Sequence, residues 1–305
     1  MIQDSLQTQS SETAIHDERR APAFLRRFAR SRSALLSLVS IVVLTLAALF
    51  GPLLYDVDPT RADFGSINAL PSAAHPLGAD KLGHDVLARL LGALRVSLLV
   101  AAVAETINIA VGALLGLLAG YFGGWVDLLI SRLADMFFAF PGLLLAILVA
   151  AVFGQWVTEQ YGNTARLVLV AGSLSLVGWP LMARYVRGQV LSLRERDFVL
   201  AARAIGQSER GIVRWHILPN VVGLVITAAT LDVVNVIVGE ATLSLLGLGI
   251  QAPATSIGKM IVEATPFLAQ TPLLVFIPSA TLTLLVLAFS FLGDGLRRAF
   301  DPAER

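Results

Sequence analysis

Long apolar runs separated by short polar stretches dominate the chain. A helix needs about 20 mostly apolar residues to cross the hydrocarbon of a bilayer, and six stretches come close to that length. They lie at residues 33–55, 96–121, 136–153, 167–182, 221–237 and 271–292. The pattern predicts an all-α, polytopic membrane bundle with six transmembrane helices.

The polar stretches divide the chain further. We expect a cytoplasmic tail at 1–32, the first transmembrane helix at 33–55, an external loop at 56–94, a five-helix core at 95–302 and a short tail at 303–305. Within the core, 183–220 forms a long cytoplasmic loop and 241–270 a second external segment. In the latter, Ile257, Met260, Ile261 and Ala264 recur at helical spacing. This spacing predicts a short helix lying along the membrane interface.

The basic residues predict the orientation. An even number of spans puts both termini on one side, and if that side is the cytoplasm it holds 17 of the 23 basic residues. The other six are Arg61, Lys81, Arg89, Arg95, Arg166 and Lys259. Because basic residues favour the cytoplasmic side of a bilayer, both termini are predicted to be cytoplasmic.

Composition narrows the function. The chain is 56% hydrophobic and 15% charged, whereas soluble domains average roughly 45–50% and about 25%. It has no cysteine, and its four histidines, at 16, 75, 84 and 216, are scattered, so no metal site is predicted. No phosphate-binding loop is present, so any ATP must be hydrolysed by another chain. We expect neither a catalytic site nor a cofactor bound by this chain.

The cytoplasmic loop carries the most informative pattern, ERDFVLAARAIGQSERGIVRWHILPN from Glu195 onward. Asp197 is predicted to cap a helix over 198–205, with Gly206 as its left-handed stop. One apolar stripe is predicted on that helix, made of Phe198, Ala201, Ala202 and Ile205. Ser208 is predicted to cap a second helix, Glu209 to Leu218, which Pro219 ends.

This helix–glycine hinge–helix arrangement has two interpretations. An eight-residue helix is marginal alone, so its apolar stripe must be covered. It either sits in a groove on another protein or packs against the cytoplasmic ends of the chain's own helices.

The loop resembles the signature segment of ABC-importer permeases, E-A-A-x3-G-x9-I-x-L-P. The matching positions are Ala201, Ala202, Gly206, Leu218 and Pro219. Leu200 stands where the family usually has Glu, and His216 stands at the usual Ile position. The resemblance implies that this loop contacts the ATPase, through Asp197, Phe198, Leu200, Ala201, Ala202, Ile205, Gly206, Leu218 and Pro219.

Further blocks resemble the dipeptide/oligopeptide/nickel branch of these permeases, in particular its "C" subunits. The blocks are His75 to Leu98, Leu114 to Asp127, Arg184 to Gly206, Glu240 to Pro253 and Leu292 to Pro302. The resemblance implies a peptide permease in the bacterial plasma (inner) membrane. Its implied partners are a second homologous permease, two cytoplasmic ATPase subunits that hold ATP and Mg, and an external solute-binding protein. Dipeptides, oligopeptides, glutathione-like solutes and nickel chelates all remain possible cargo.

Other polar and small residues within the spans are candidates for structure or transport. Gly112, Gly116 and Gly120 repeat every four residues, a spacing that lets helices approach closely, in static packing or along the translocation path. Glu105, Asp232 and Glu240 must face the bundle interior, because a carboxylate in lipid is costly. Two roles are open for these carboxylates. They line the translocation path, or they pair with Arg95 or with backbone N–H donors.

Three shorter features complete the sequence predictions. Asp127, Arg132 and Asp135 suggest an interfacial helix face with local ion pairs. Pro141 and Pro180 are predicted to kink the third and fourth spans. An ion-coupled carrier that acts alone is the rival function, but it needs intramembrane ion sites and often repeated halves, which the isolated carboxylates fit poorly.

Overall fold

The computed structural model describes residues 26–300, so the predicted tail at 303–305 and most of the tail at 1–32 lie outside the described residues. Within that range the chain is helical, and its one β-type pairing is an isolated bridge between Ala79 and Asp85. The predicted all-α class is confirmed for this part of the chain.

From the second helix onward, long and short helices alternate. They are α1 (Arg32–Leu54), α2 (Val86–Phe122), α3 (Gly124–Phe138), α4 (Gly142–Arg194), α5 (Asp197–Ala204), α6 (Glu209–Leu245), α7 (Ile257–Ala264) and α8 (Pro272–Phe300). Within residues 26–300, α1, α2, α4, α6 and α8 are long and apolar enough to cross a membrane. The chain is therefore a multi-pass membrane protein.

Most helices extend beyond the predicted spans. Helix α2 begins at Val86 rather than 96, because the Asp85 side chain caps it by accepting from the Ala88 N–H at 2.8 Å. Helix α4 runs to Arg194, which shortens the predicted loop at 183–220. Hydropathy marks only the part of a helix inside hydrocarbon, and the backbone continues helically into the polar interface.

Helix α4 reverses direction at Gly162. Its 53 residues would span about 80 Å if straight, but Gly162 has the non-helical angles φ 78° and ψ −175°. A Cβ atom on Gly142 would lie 2.3 Å from the Val177 side chain, and one on Gly154 would lie 3.2 Å from Arg166 Nη1. These two contacts place the segments before and after Gly162 side by side and antiparallel.

The predicted third span needs correction at its start. Residues 136–138 belong to α3, and Pro141 is the N-cap of α4 rather than a kink within a span. Proline fits there because the first turn of a helix needs no N–H donor from it. Pro180, in contrast, does lie inside α4.

Two buried apolar clusters hold the bundle together. One joins α2, α4, α6, α7 and α8 and includes Val100, Val170, Ile237, Ile257 and Leu285. The other joins α2, α4, α5 and α6 and includes Met182, Val190, Val199, Ile212 and Ile217. The second cluster ties the short helix α5 to the ends of long helices.

Candidate coupling surface and transmembrane cleft

Helix α5 forms where the loop pattern predicts it, with shifted ends. It spans Asp197–Ala204, and Arg196 occupies the N-cap position without a side-chain hydrogen bond. Asp197 is therefore in the first turn, where its negative charge favours the helix N-terminus. Gly206 has φ +80°, the predicted left-handed stop, and Ser208 accepts from the Gly211 N–H at 3.3 Å as the predicted second cap.

The two faces of α5 differ in exposure. Val199 and Ala202 are 0% and 5% exposed and pack into the second apolar cluster. The opposite face is exposed and consists of Phe198, Leu200, Ala201 and Ile205, which we name the coupling surface. Ala202 was predicted on the exposed stripe and is buried instead, because Val199 and Ala202, three residues apart, share the inward face.

The second loop helix does not end at Pro219. It continues as α6 to Leu245 through a π-helical turn at Val213–Ile217. Proline cannot donate to the preceding turn and clashes with its carbonyl, and the wider π turn immediately before it accommodates both constraints. Leu218 and Pro219 are exposed beside this turn.

Long-range contacts fix the loop to the rest of the bundle. Gln207 Oε1 and His216 Nε2 lie 2.9 Å apart, which ties the residue after Gly206 to α6. Glu209 accepts a hydrogen bond from the Tyr121 hydroxyl at the end of α2, and lies 3.7 Å from Arg203. Sequence patterns gave no sign of the Tyr121 contact, since 88 positions separate the partners.

Helix α3 is anchored by ion pairs to α4, not by the local pairs its sequence predicted. Arg187 donates to both oxygens of Asp127, at 2.5 and 2.7 Å, and Arg184 donates to Asp135 at 3.1 Å. The hydrogen bond from Arg187 holds the pKa of Asp127 below its usual value. These ion pairs therefore hold α3 against the second half of α4.

The three α2 glycines lie against the second half of α4. A Cβ atom at Gly112, Gly116 or Gly120 would lie 2.6, 2.4 or 2.8 Å from Met182, Ala183 or Val190, respectively. The small residues therefore allow a close helix approach.

Two of the predicted carboxylates meet at one amide. Asn108 Nδ2 donates to Asp232 Oδ2 at 3.0 Å and to Glu105 Oε2 at 3.4 Å. Asn108 opens a π-helical turn of α2, Asn108–Ala113, a type of distortion that is frequent at functional sites. Arg95 is exposed and makes no ion pair with Glu105 in the described residues. Asn108 was not singled out from the sequence, because 124 positions separate it from Asp232.

Glu240 lies apart from that pair, in a hydroxyl cluster beside the start of α7. It is 1% exposed and accepts from Ser244 at 2.7 Å and from Ser97 at 3.2 Å. The Ser97 hydroxyl in turn accepts from the Ile257 N–H, at the start of α7. Glu240 therefore anchors α7 rather than lining an opening.

A cleft of about 300 Å³ lies between α4, α6 and α8. Its walls are mostly apolar, and Asp232 and Arg297 are its charged residues. Its lining consists of Leu181, Met182, Tyr185, Leu224, Thr227, Ala228, Leu231, Asp232, Asn235 and Arg297. Of the predicted path residues, Asp232 alone borders this cleft.

A polar network holds the loop between α1 and α2, which the sequence predicts to be external. Asp80 accepts from the backbone of Leu82 and His84 at 2.9 Å each, and Arg89 bridges Asp80 to Glu263 of α7. Burial alone would raise the pKa of Asp80, but these hydrogen bonds outweigh it and lower the pKa. The network joins the two predicted external segments into one surface.

Helix α7 forms with the predicted apolar spacing, and its apolar face is buried. Ile257, Met260 and Ala264 are 0%, 6% and 8% exposed and belong to the first apolar cluster. The apolar face is therefore covered by the protein's own helices, and the position of α7 relative to the membrane interface stays a prediction.

Comparisons with known proteins agree with this architecture. Residues 112–305 match the family described as the binding-protein-dependent transport system inner membrane component. Residues 23–71 match the N-terminal TM domain of oligopeptide transport permease C. The chain therefore belongs to the permease family of binding-protein-dependent transporters.

Curated relatives cover nearly the whole chain. A dipeptide transport system permease protein of Alkalihalophilus pseudofirmus is 38% identical over 91% of this chain and 88% of its own. An oligopeptide transport system permease protein of Mycobacterium tuberculosis is 35% identical over 92% and 94%. A solved inward-facing MetNI methionine ABC transporter chain aligns with a TM-score of 0.54 at 20% identity, covering 70% of this chain and 96% of that chain. That structure supports the shared fold.

Proposed function

We propose that this chain is one of two homologous permease subunits of a bacterial inner-membrane ABC importer for short peptides. Two cytoplasmic ATPases, which carry ATP and Mg, supply the energy, and an external binding protein delivers the peptide. The curated relatives named as dipeptide and oligopeptide permeases support the cargo class.

The coupling surface is the single observation that carries the proposal. Phe198 and Ile205 are 42% and 84% exposed, although burial of such side chains is worth about 1.5–3 kcal/mol each. Val199 and Ala202, on the opposite face of α5, are buried in the second apolar cluster. A groove on an ATPase can therefore bind this exposed apolar face. Val199 and Ala202 then transmit the movement of α5 to α4 and α6.

The proposed topology has six crossings with both termini in the cytoplasm. The five long helices supply six because α4 folds back at Gly162, which places that turn outside. The chain has no cysteine, so single cysteines report sidedness. Gln160→Cys should react with an impermeant maleimide added outside intact cells, and Gln207→Cys should react only after permeabilisation. Labelling of both from the same side would refute the topology.

Reconstitution tests the function. Liposomes with both permeases, both ATPases and the binding protein should take up a labelled dipeptide only with internal ATP. Charged substitutions at Ala201 and Gly206 should lower uptake by about tenfold or more while the complex still assembles, with Ile205→Leu as the conservative control. Uptake by this chain alone would indicate the ion-coupled carrier. Competition by a nickel chelate or glutathione, but not peptides, would reassign the cargo.

A further inference from the structure

The charges of the transmembrane cleft are separated along its axis. A Cβ on Gly293 would lie 2.5 Å from Leu231 Cδ2, and one on Gly223 would lie 2.8 Å from Phe300 Cδ1. These contacts set an antiparallel register between α8 and α6 that puts Arg297 level with residue 227. Asp232 is five residues further along α6, which is about 7.5 Å at 1.5 Å per residue.

The negative end of the cleft lacks a basic partner. Asp232 accepts from Asn108 and Asn235, both at 3.0 Å, and Glu105 shares the Asn108 amide. Neither carboxylate makes an ion pair within residues 26–300. Glu105 Oε1 and Asn108 Oδ1 are buried without any hydrogen-bond donor. A carboxylate pair at this depth needs a cation or a proton.

The positive end likewise has no ion pair within residues 26–300. Arg297 borders the cleft from the last turn of α8 and makes no ion pair in the described part of the chain. Between the levels of the two charges the α6 wall is apolar, formed by Ala228 and Leu231, and Leu224 and Met182 extend the apolar lining. The volume of about 300 Å³ is at the small end of the range for small-molecule sites, about 300–1,000 Å³.

We infer that this cleft binds the zwitterionic backbone of a di- or tripeptide during translocation. The α-ammonium lies at Asp232, reinforced by Glu105, and the terminal carboxylate lies at Arg297. An extended chain spans about 3.3–3.6 Å per residue, so a dipeptide matches the axial separation of about 7.5 Å between the two backbone positions, and a tripeptide exceeds it by about 3 Å. Side chains of the peptide face the apolar walls. The inference rests on the proposed function, since it assigns a recognition site within the peptide permease.

Equilibrium binding of radiolabelled dialanine to the purified permease–ATPase complex, without the binding protein or ATP, tests the site. Unlabelled dialanine and trialanine should displace the label. N-acetyl-dialanine and dialanine amide should each compete about tenfold less well or worse, because each lacks one terminal charge. This comparison uses the unmodified protein, so it does not depend on how any variant folds. Equal competition by the blocked peptides would overturn the inference.

Matched variants locate the site. Asp232→Asn and Arg297→Gln should each weaken dialanine binding by about tenfold. The exposed neighbours on α8 that lie outside the cleft serve as controls, and Asp294→Asn and Arg298→Gln should bind as the wild type does. Equal weakening by Arg297→Gln and Arg298→Gln, or displacement of the label by O-phosphoethanolamine, a lipid-headgroup analogue, would contradict a peptide site here.

Failure of this inference and failure of the proposed function give different results. Suppose that the complex takes up dialanine with ATP and the binding protein, but that substitutions at Asp232 and Arg297 leave its equilibrium binding of dialanine unchanged. The proposed function then stands, and this site is refuted. A complex that takes up no peptide under any of these conditions loses both.

Discussion

Gln207 Oε1 and His216 Nε2 lie 2.9 Å apart, and this contact ties the residue that follows Gly206 to α6. The turn depends on the backbone of Gly206, which has φ +80° and open space where a Cβ would be. Side-chain volume is therefore no obstacle at this position, but conformation is. The angle between α5 and α6 depends on this backbone conformation, together with the approach of Arg203 to Glu209 at 3.7 Å and the packing of Val199 in the second apolar cluster.

Gly206→Ala should lower peptide uptake more than Gly206→Asn. Alanine in the left-handed conformation costs about 1–2 kcal/mol, whereas asparagine tolerates it better. Uptake and ATP hydrolysis are measured in the same liposomes, and the Ala variant should hydrolyse ATP with less peptide moved per ATP. Equal behaviour of the two variants would show that the left-handed turn is unimportant for coupling.

Gly116→Ala should destabilise the protein by about 1–3 kcal/mol, because the new methyl group would overpack the contact between α2 and α4. Its Cβ would lie 2.4 Å from the Ala183 carbonyl oxygen. Gly92→Ala on the same helix is the matched control, since nothing lies within 4 Å of its Cβ position. Thermal unfolding in detergent should show a lower Tm for Gly116→Ala and an unchanged or raised Tm for Gly92→Ala.

The Asp127–Arg187 pair predicts a pH-dependent contribution to stability. The folded protein holds the pKa of Asp127 below its usual value, so the pair stabilises the fold above the unfolded pKa of about 3.9. That contribution is lost as the pH falls through the lower, folded pKa. Asp127→Asn should therefore reduce Tm at pH 7 and differ less from wild type below about pH 4. Arg132→Gln, on the exposed face of α3, should change Tm little at either pH.

Arg166→Lys should lower stability even though the charge is kept. The Arg166 guanidinium donates to the carbonyls of Gly249 at 2.7 Å and Leu248 at 3.1 Å, and to Thr158 at 3.2 Å. Lysine cannot reproduce this planar fork, and leaving buried carbonyls without donors costs about 1–3 kcal/mol. Exposed Arg61→Lys is the control. Equal Tm values for the two variants would mean that Arg166 acts through its charge alone.

The sequence predicted the elements whose cause is local. The glycine at 206 and the serine at 208 dictate a turn and a cap within their own neighbourhood, and the structure has both. The apolar runs likewise predicted helices that can cross a membrane. Helix ends were less accurate, because Arg89 and Arg95 sit in the helical part of α2 beyond its most hydrophobic stretch.

Features that depend on distant partners were not predictable from one sequence. The Asn108 bridge between Glu105 and Asp232 requires two helices in one register, and no periodicity encodes that register. The continuation of α6 through Pro219 required a π turn, which has no sequence signature at Val213–Ile217. Glu240 was predicted beside the path, but only the folded positions of Ser97 and Ser244 show that it is enclosed.

The central claim is that α5 is held by an ATPase, and a disulfide crosslink tests it most directly. Ile205→Cys introduces the only thiol into this chain, on a side chain that is 84% exposed. With single cysteines placed around the membrane-facing groove of the ATPase, the assembled complex should form an ATPase–permease crosslink that changes in yield between nucleotide-free and ATP-bound states. The contrary result is a fully assembled, transporting complex in which the thiol of the Ile205→Cys variant stays open to maleimide and crosslinks to no ATPase position.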